Sequence, residues 1–315
     1  MNKEELKRLQ SLSLKEKIDI SKMRIVEFYE MDKGNVVVSF SGGADSTALL
    51  HLVRTIYPDV KGVYCDTGLE YPEVKTHVKS TENVEIIRPK YSFKEVIDRY
   101  GWGYPTKEIA MMLHYAKMGK EWALNRFKGL KNDGTEDFFR QRYKNYAYLI
   151  DAPFKFHNDC CRVMKKDPFG KYKRRHNNVG MMIGTRVDES RVRKAAYLRV
   201  GGCINPKKNN ATPIAFWSSQ DVMQYILDNN IELAGCYGKI EGREGNRRFS
   251  GVQRTGCIFC PIAGDNQELK RLHPKLYDYV METLGLRKLF DWVKEHRPKC
   301  QTLYTSQEEF NRRQK

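Results

Sequence analysis

The sequence predicts an α/β fold built on a doubly wound, mostly parallel sheet, with a helical insertion and a helical C-terminal region. Short β-branched runs alternate with helical patterns at close intervals, as strands joined by crossover helices require. The first run ends in a glycine-rich turn that opens straight into a helical pattern, "VVVSFSGGADSTALLHLV" over residues 36–53. The alternation stops from Gly101 to Pro153, where no strand pattern is visible, and then resumes.

Residues 1–34 read as N-terminal helices, with Ile18, Ile20, Met23, Ile25, Val26 and Phe28 at their apolar positions. "NVVVSF" (Asn35–Phe40) is a β-branched run that fits a buried parallel strand. The helix after it carries Ala48, Leu49, Leu52 and Val53 at helical spacing and ends before Pro58. "VKGVYCDTG" (Val60–Gly68) is a second strand that closes in a polar turn. "YPEVKTHVKS" is a helix with Pro72 in its first turn, "NVEIIRP" a third strand, and "SFKEVIDRYG" a helix opened by Ser92. Residues 35–100 thus form a nucleotide-binding half, and 101–153 a basic, aromatic helical insertion. The sheet resumes with "NVGMMIGTR" (Asn178–Arg186) in a second half spanning 154–265. There Ser218 and Asp221 form a capping box ahead of Val222, Tyr225 and Ile226. Residues 266–315 read as a charged helical tail, and no repeat or low-complexity linker occurs.

Lys and Arg number 56 against 39 Asp and Glu, a formal charge of +17. Such an excess points to an anionic partner, a nucleic acid or a nucleotide, although no known nucleic-acid reader motif accompanies it. No apolar stretch approaches the ~18–20 residues of a membrane span, so no membrane association is expected. The opening "MNKEELKRLQSLSLKEK" lacks the apolar core of a secretory signal, and the expected location is the cytoplasm. The insertion sets Trp102, Tyr104 and Trp122 among Lys107, Lys117, Lys120, Arg126, Lys128 and Lys131. That mixture is expected to contact DNA or RNA by stacking and phosphate neutralisation.

A glycine-rich turn between a parallel strand and a helix points several backbone N–H groups into one space, which the helix dipole makes favourable for phosphate. In "SFSGGADS", Gly42 and Gly43 let the backbone approach an anion, and Ser41 and Ser46 add hydroxyls. The G-x-x-x-x-G-K-[ST] pattern and its lysine are absent, as is the third glycine of a dinucleotide fingerprint. Asp45 would repel a phosphate unless a divalent cation bridged the two, which implies Mg²⁺.

These residues carry a resemblance. "SGGADS" resembles the PP-loop, S-G-G-x-D-S, of the adenine nucleotide α-hydrolase superfamily, whose members hold ATP by its β,γ-pyrophosphate and react at the α-phosphorus. Within it the chain is most similar to the phosphoadenosine phosphosulfate (PAPS) reductase family. "YCDTGLEYPEV" matches that family's D-T-G-x-E-x-P-E segment, "IGTRVDESRVR" its G-x-R-x-x-E-S-x-x-R segment, and "TPIAFWSSQDVMQYI" its tryptophan-containing helix. The likeness runs from about Asn35 to Ala263, apart from the insertion. It implies an adenine-nucleotide-hydrolase-like, Rossmann-like fold. It further implies a nucleotide held by Ser41, Gly42, Gly43, Asp45, Ser46, Asp66, Thr67, Gly68, Arg186 and Arg191, with Asp45, Ser46 and Arg186 catalytic.

Eight cysteines are present; Cys65, Cys203, Cys236 and Cys300 are scattered, and Cys160–Cys161 and Cys257–Cys260 form pairs. Without a secretory signal, such pairs point to metal rather than disulfides. Four thiolates suit Zn²⁺ or an iron–sulfur cluster. Adjacent cysteines chelate one zinc poorly but can serve two irons of a cubane. The pattern resembles the iron–sulfur branch of the family, which implies a [4Fe–4S] cluster, with zinc and unmetallated thiols as alternatives. Basic residues flank these pairs: Arg162, Lys165 and Lys166 near the first, Arg247, Arg248 and Arg254 before the second. With Arg186, Arg191 and Arg193 they are candidates to line a phosphate or sulfate pocket.

The chain departs from the reductases in two places. Their C-terminal nucleophilic cysteine lies in E-C-G-(I/L)-H, whereas Cys300 lies in "RPKCQTLY", the context of a stray thiol. Their loops usually lose the S-G-G-x-D-S spelling that this chain keeps. Three functions follow. The first is an ATP pyrophosphatase that adenylates a substrate, suited by the charge to be a nucleic acid, for sulfur transfer from a donor protein. The second is a thiol-dependent reductase of PAPS or adenylyl sulfate, and the third a non-catalytic nucleotide-binding component of a nucleic-acid-associated complex.

Overall fold

The computed structural model describes residues 1–264 and 266–298, and the chain forms two compact units. Unit 1 comprises Met1–Pro89 and Asp167–Thr255, and unit 2 comprises Lys90–Lys166 with the described residues from Gly256 on.

Unit 1 holds a six-stranded sheet of order β3-β2-β1-β4-β6-β5. Its strands are β1 Val36–Ser39, β2 Lys61–Cys65, β3 Val84–Ile87, β4 Gly180–Ile183, β5 Ile204–Asn205 and β6 Asn210–Ala211. All neighbours are parallel except β5 and β6, which run antiparallel. In the register, Val38 lies between Gly62 and Met182. Central parallel strands are covered on both faces, and Val36, Val37 and Val38 are accordingly all buried. The short β5–β6 hairpin was not expected from sequence. Two residues per strand are too few to show alternation, and the turn rests on Asn209 in the left-handed region at φ 44°.

Crossover helices cover the sheet, among them Ala44–Arg54, Pro72–Ser80, Asp167–Arg175 and Ser219–Asp228. Val37, Val63, Tyr172, Val179 and Met181 form one buried cluster. The helix Leu14–Met31 is fixed by polar contacts as well as packing. Ser21 Oγ accepts from Trp217 Nε1 at 2.9 Å and donates to the Pro213 carbonyl at 3.0 Å. Lys17 Nζ meets Asp221 Oδ2 at 2.8 Å, a nearly buried pair whose carboxylate also closes the Ser218 capping box. At the same helix's end, Asp32 accepts from Gly180 N at 2.6 Å and from Asn209 Nδ2 at 2.9 Å, which positions β4 and the hairpin turn.

Unit 2 is helical, with helices Phe93–Tyr100, Lys107–Lys117, Glu121–Phe127 and Leu286–His296 among its elements. Between Gly101 and Pro153 it has no strand, and its β pairing is limited to isolated bridges from Trp102 to Phe156 and from Leu130 to Glu136. Aromatic rings make up much of its interior: Phe93 lies 6.2 Å from Trp102 and 5.7 Å from Phe259, centroid to centroid. Gly101 turns the chain at φ 93°, where an added Cβ would lie 2.2 Å from the Lys155 carbonyl. No helix among the described residues is long and apolar enough to cross a membrane.

Candidate functional site

The sheet of unit 1 reverses its winding at β1, which pairs with β2 on one side and β4 on the other. In open α/β sheets the crevice at such a reversal, outside the carboxyl ends of the strands, is where ligands bind. The segment Phe40–Gly43 leaves β1 here and enters the helix Ala44–Arg54. Gly42 has φ +69°, and a Cβ there would sit 2.8 Å from side-chain carbons of Val74 and Val78. Conformation and space both demand glycine. At Gly43 a Cβ would lie 2.9 Å from Thr255 Oγ1 and 3.2 Å from the Tyr237 hydroxyl.

The loop is laced by its own hydroxyls. Ser46 Oγ donates to the Gly43 carbonyl at 2.9 Å, accepts from Ser41 N at 3.1 Å, and lies 3.0 Å from Ser41 Oγ. Ser46 is therefore buried and shapes the loop. The helix begins at Gly43 without a side-chain cap. Ala44 N donates instead to the Tyr237 hydroxyl at 3.0 Å, which sits 2.9 Å from Thr255 Oγ1. The N-cap residue itself offers no side-chain acceptor, and the positive end of the helix dipole makes such an amino end favourable for an anion.

Asp45, in the first turn, accepts from Arg186 Nε at 2.9 Å. The same guanidinium donates to both oxygens of Asp188 at 2.7 and 2.6 Å. The Arg186 amide donates to Glu189 Oε1 at 3.1 Å. Glu189 in turn pairs with Arg193 and, at 2.6 Å, with Arg254. Burial pushes the Asp45 carboxyl above its ordinary range, and the Arg186 charge only partly opposes the rise. The backbones crowd too: a Cβ on Gly184, just past β4, would lie 2.9 Å from the Asp45 carbonyl oxygen.

At the end of β2, Asp66 meets Lys75 Nζ at 3.0 Å and Arg88 Nε at 3.6 Å, and it accepts from Gly68 N at 3.3 Å. Burial raises this carboxyl, but Lys75, the Gly68 amide and Arg88 together hold it below its usual value. Thr67 Oγ1 donates to Glu70 Oε1 at 2.6 Å, and Gly68, at φ +76°, has open space where a Cβ would be.

Ser41, Gly42, Gly43, Asp45, Ser46, Asp66, Thr67, Gly68 and Arg186 therefore follow the carboxyl ends of three neighbouring strands, β2, β1 and β4. Arg191 is exposed at the start of the helix Arg191–Val200, behind its Ser190 cap. Sequence reasoning missed Tyr237 and Thr255, which reach the loop from far along the chain and belong to no local pattern.

The four paired cysteines all belong to unit 2. Cys160 and Cys161 are hydrogen-bonded, and this bond, with the Lys107 and Lys165 ammonium groups nearby, draws the Cys161 thiol down to about 5 against the opposing effect of burial. The bond raises Cys160 instead, with burial and the charges of Cys161, Cys260 and Cys257 adding to it. The pairs are thus close enough to influence one another. Cys257 and Cys260 belong to a tight turn, Cys260 N donating to the Cys257 carbonyl at 3.1 Å. Among the described residues, no three Cys, His, Asp or Glu side chains are arranged to hold a metal ion. The four thiols thus share one unit, with the Lys107 and Lys165 ammonium groups near Cys161. Cys65, Cys203 and Cys236 are buried single thiols, and Cys300 lies outside the described residues.

The expected polyanion-contacting aromatics are not equally placed. Trp102 is buried against Phe93, Tyr104 is half-buried beside Phe290, and Trp122 is half-buried beside Tyr115.

Similarity to known proteins extends over most of the chain. Two uncharacterized proteins of Methanocaldococcus jannaschii are each 26% identical, one over 306 residues and the other over 262. These matches take in 91% and 79% of this chain but 60% and 41% of those proteins. The chain thus spans about half the length of these relatives. A solved phosphoadenylyl-sulfate (PAPS) reductase from Candida auris, in a phosphate complex, aligns with a TM-score of 0.38 and 13% identity over 75% of this chain and 90% of that one. The phosphoadenosine phosphosulfate reductase domain model matches residues 35–133 and 129–263, and the chain belongs to that family.

Proposed function

We propose that the protein is an adenine nucleotide α-hydrolase-type enzyme that binds ATP with Mg²⁺ in unit 1 and cleaves it to AMP and pyrophosphate. An acceptor atom attacks the α-phosphorus, pyrophosphate leaves, and a sulfur nucleophile then displaces AMP from the adenylated acceptor. The observation that carries this reading is the intact loop: a glycine-built turn at a helix amino end whose N-cap, Gly43, has no side chain, with Asp45 in its first turn beside Arg186. The cradle amides would bind the β,γ-pyrophosphate, and Arg186 would stabilise charge developing at the α-phosphate. Asp66, Thr67, Gly68 and Arg191 would complete the nucleotide's binding face. Asp45 would hold Mg²⁺, which supplies charge neutralisation at the phosphates. A carboxylate oxygen is a hard donor of the kind Mg²⁺ takes, so the residue type fits the ion once Arg186, which pairs with Asp45 here, turns to a phosphate.

Cys160, Cys161, Cys257 and Cys260 would hold a [4Fe–4S] cluster, in keeping with four thiols in one unit and an adjacent pair ill-suited to one zinc. A sulfur donor protein or thiol reductant would supply the sulfur, and the +17 charge favours DNA or RNA as the acceptor, in a cytoplasmic setting. Incubation with ATP, Mg²⁺ and total nucleic acid tests the reading: AMP with pyrophosphate supports it, and ADP with phosphate overturns it.

The family's description favours a second reading, reduction of PAPS or adenylyl sulfate. Sulfite release from those compounds with a thiol present, and no AMP from ATP, would decide for it. ATP binding with neither product would make the protein a nucleotide-binding component.

A further inference from the structure

Phe138 and Phe139 are 86% and 83% exposed, and their rings meet edge to face at 5.9 Å. Both lie in the short helix Phe138–Arg140 of unit 2, which Asp137 caps and which leads directly into the helix Gln141–Lys144. Neighbouring residues of unit 2 hold the turn in place. Arg140 Nη1 donates to the Leu130 carbonyl at 2.8 Å, Asp137 N donates to the Gly129 carbonyl at 2.9 Å, and Arg142 pairs with Glu108 at 3.0 Å. Two adjacent phenylalanines are thus presented outward on a braced turn. Lys128, Lys131 and Lys144, all exposed, belong to the same stretch of chain.

Open aromatic faces beside cations are the composition of a stacking platform for unpaired bases, in which rings take the bases and lysines the backbone phosphates. A duplex keeps its bases stacked inside and offers such rings nothing. We propose that Phe138 and Phe139, with Lys128, Lys131 and Lys144, form a docking surface for single-stranded nucleic acid. The inference rests on the nucleic-acid part of the proposed function and supplies what Trp102, being buried, does not: an open ring. Complementary charge selects the occupant, since residues 128–144 carry five Lys and Arg against three Asp and Glu and the whole chain is basic.

The test is fluorescence anisotropy of the full chain with labelled single-stranded 20-mers of dT and U over a salt series, repeated with a duplex. The wild-type chain is expected to bind the single strands, and to bind the duplex more weakly. The double variant Phe138→Ala/Phe139→Ala should weaken single-strand binding by about tenfold or more with little change in salt slope. Lys128→Ala/Lys131→Ala/Lys144→Ala should flatten that slope by about two, at roughly 0.7 per phosphate contact. Melting curves of both variants should match wild type, because the altered side chains are exposed. The proposal is overturned if the wild type ignores single strands or if the phenylalanine variant binds them normally. It is equally overturned if that variant instead loses binding to anionic phospholipid vesicles or differs from wild type in oligomeric state. AMP formation from ATP is read separately, so failure here and failure of the ATP reading are distinguishable.

Discussion

Arg186 reaches from the end of β4 to Asp45 in the first turn of the loop helix, Nε to Oδ1 at 2.9 Å, and the same guanidinium holds Asp188. An anion arriving at the cradle competes for Arg186, and Asp45 is then left needing another cation. On the proposed function, binding of phosphate and binding of Mg²⁺ would thereby be coupled in the same direction. Pyrophosphate affinity, measured by calorimetry, should rise when Mg²⁺ is present and by the same factor that pyrophosphate raises Mg²⁺ affinity. In Asp45→Asn the coupling should vanish; equal coupling in wild type and variant would refute it.

Asp45 also makes a prediction about pH. Its folded carboxyl titrates above the ordinary aspartate value because of burial, so the native state holds the proton more tightly than the unfolded chain. That contribution is complete below the unfolded pKa and is lost as pH rises through the folded one. Asp45→Asn mimics the protonated form and escapes the loss. Its melting temperature relative to wild type should increase from pH 4 to pH 7, while ATP turnover disappears. A variant that becomes relatively less stable as pH rises would show that the ion pair with Arg186 outweighs burial.

Gly184 and Gly42 test the packing of the loop. Gly184→Ala sets a methyl group 2.9 Å from the Asp45 carbonyl oxygen, a backbone atom with no rotamer to change. Overpacking of this kind costs about 1–3 kcal/mol. Gly42→Ala meets Val74 and Val78 at 2.8 Å and adds left-handed strain, and a similar loss is expected. Urea denaturation measures both, and nucleotide binding should fall along with stability.

Tyr237→Phe removes the hydroxyl that accepts from Ala44 N and pairs with Thr255. A lost hydrogen bond of this type costs about 1 kcal/mol, readable as a lower urea midpoint. Unchanged stability would mean that water replaces the hydroxyl without loss.

Anaerobically purified protein should be brown, with about four irons per chain, as a cubane requires. Cys160→Ser or Cys257→Ser should bleach it, whereas Cys300→Ser should not. Because all four ligand candidates lie in unit 2, metal loss should make residues 90–166 more sensitive to protease than residues 1–89. Colourless protein with one zinc per chain would decide for zinc.

The central strands and the loop were legible because each rests on a local pattern: continuous β-branched residues in Val36–Val38, paired glycines and hydroxyls after them. Capping boxes were equally plain, and Ser92 and Ser218 cap where their spacing predicts. Tyr237 was not legible, since a hydroxyl that meets a distant amide leaves no periodicity. Nor was the β5–β6 hairpin, too short to carry one. Trp102 shows the opposite failure. Its neighbours in sequence are basic, but burial beside Phe93 is decided by tertiary packing that composition does not encode.

Unit 2 is assembled from two stretches of chain, one before and one after the second half of unit 1. During synthesis the earlier stretch, residues 90–166, leaves the ribosome while its complement does not yet exist. At ordinary elongation rates the intervening residues 167–255 take roughly 5–20 s to make. Throughout that interval Phe93 and Trp102 lack Phe259 and the rest of the later stretch, and Cys160 and Cys161 stand without Cys257 and Cys260. The nascent chain thus carries an open aromatic surface and an unprotected thiol pair, of which Cys161 is drawn toward the thiolate by its bond with Cys160 and by Lys107 in the finished fold. The window for chaperone capture, or for oxidation of that pair, is set by the order of the segments in the gene.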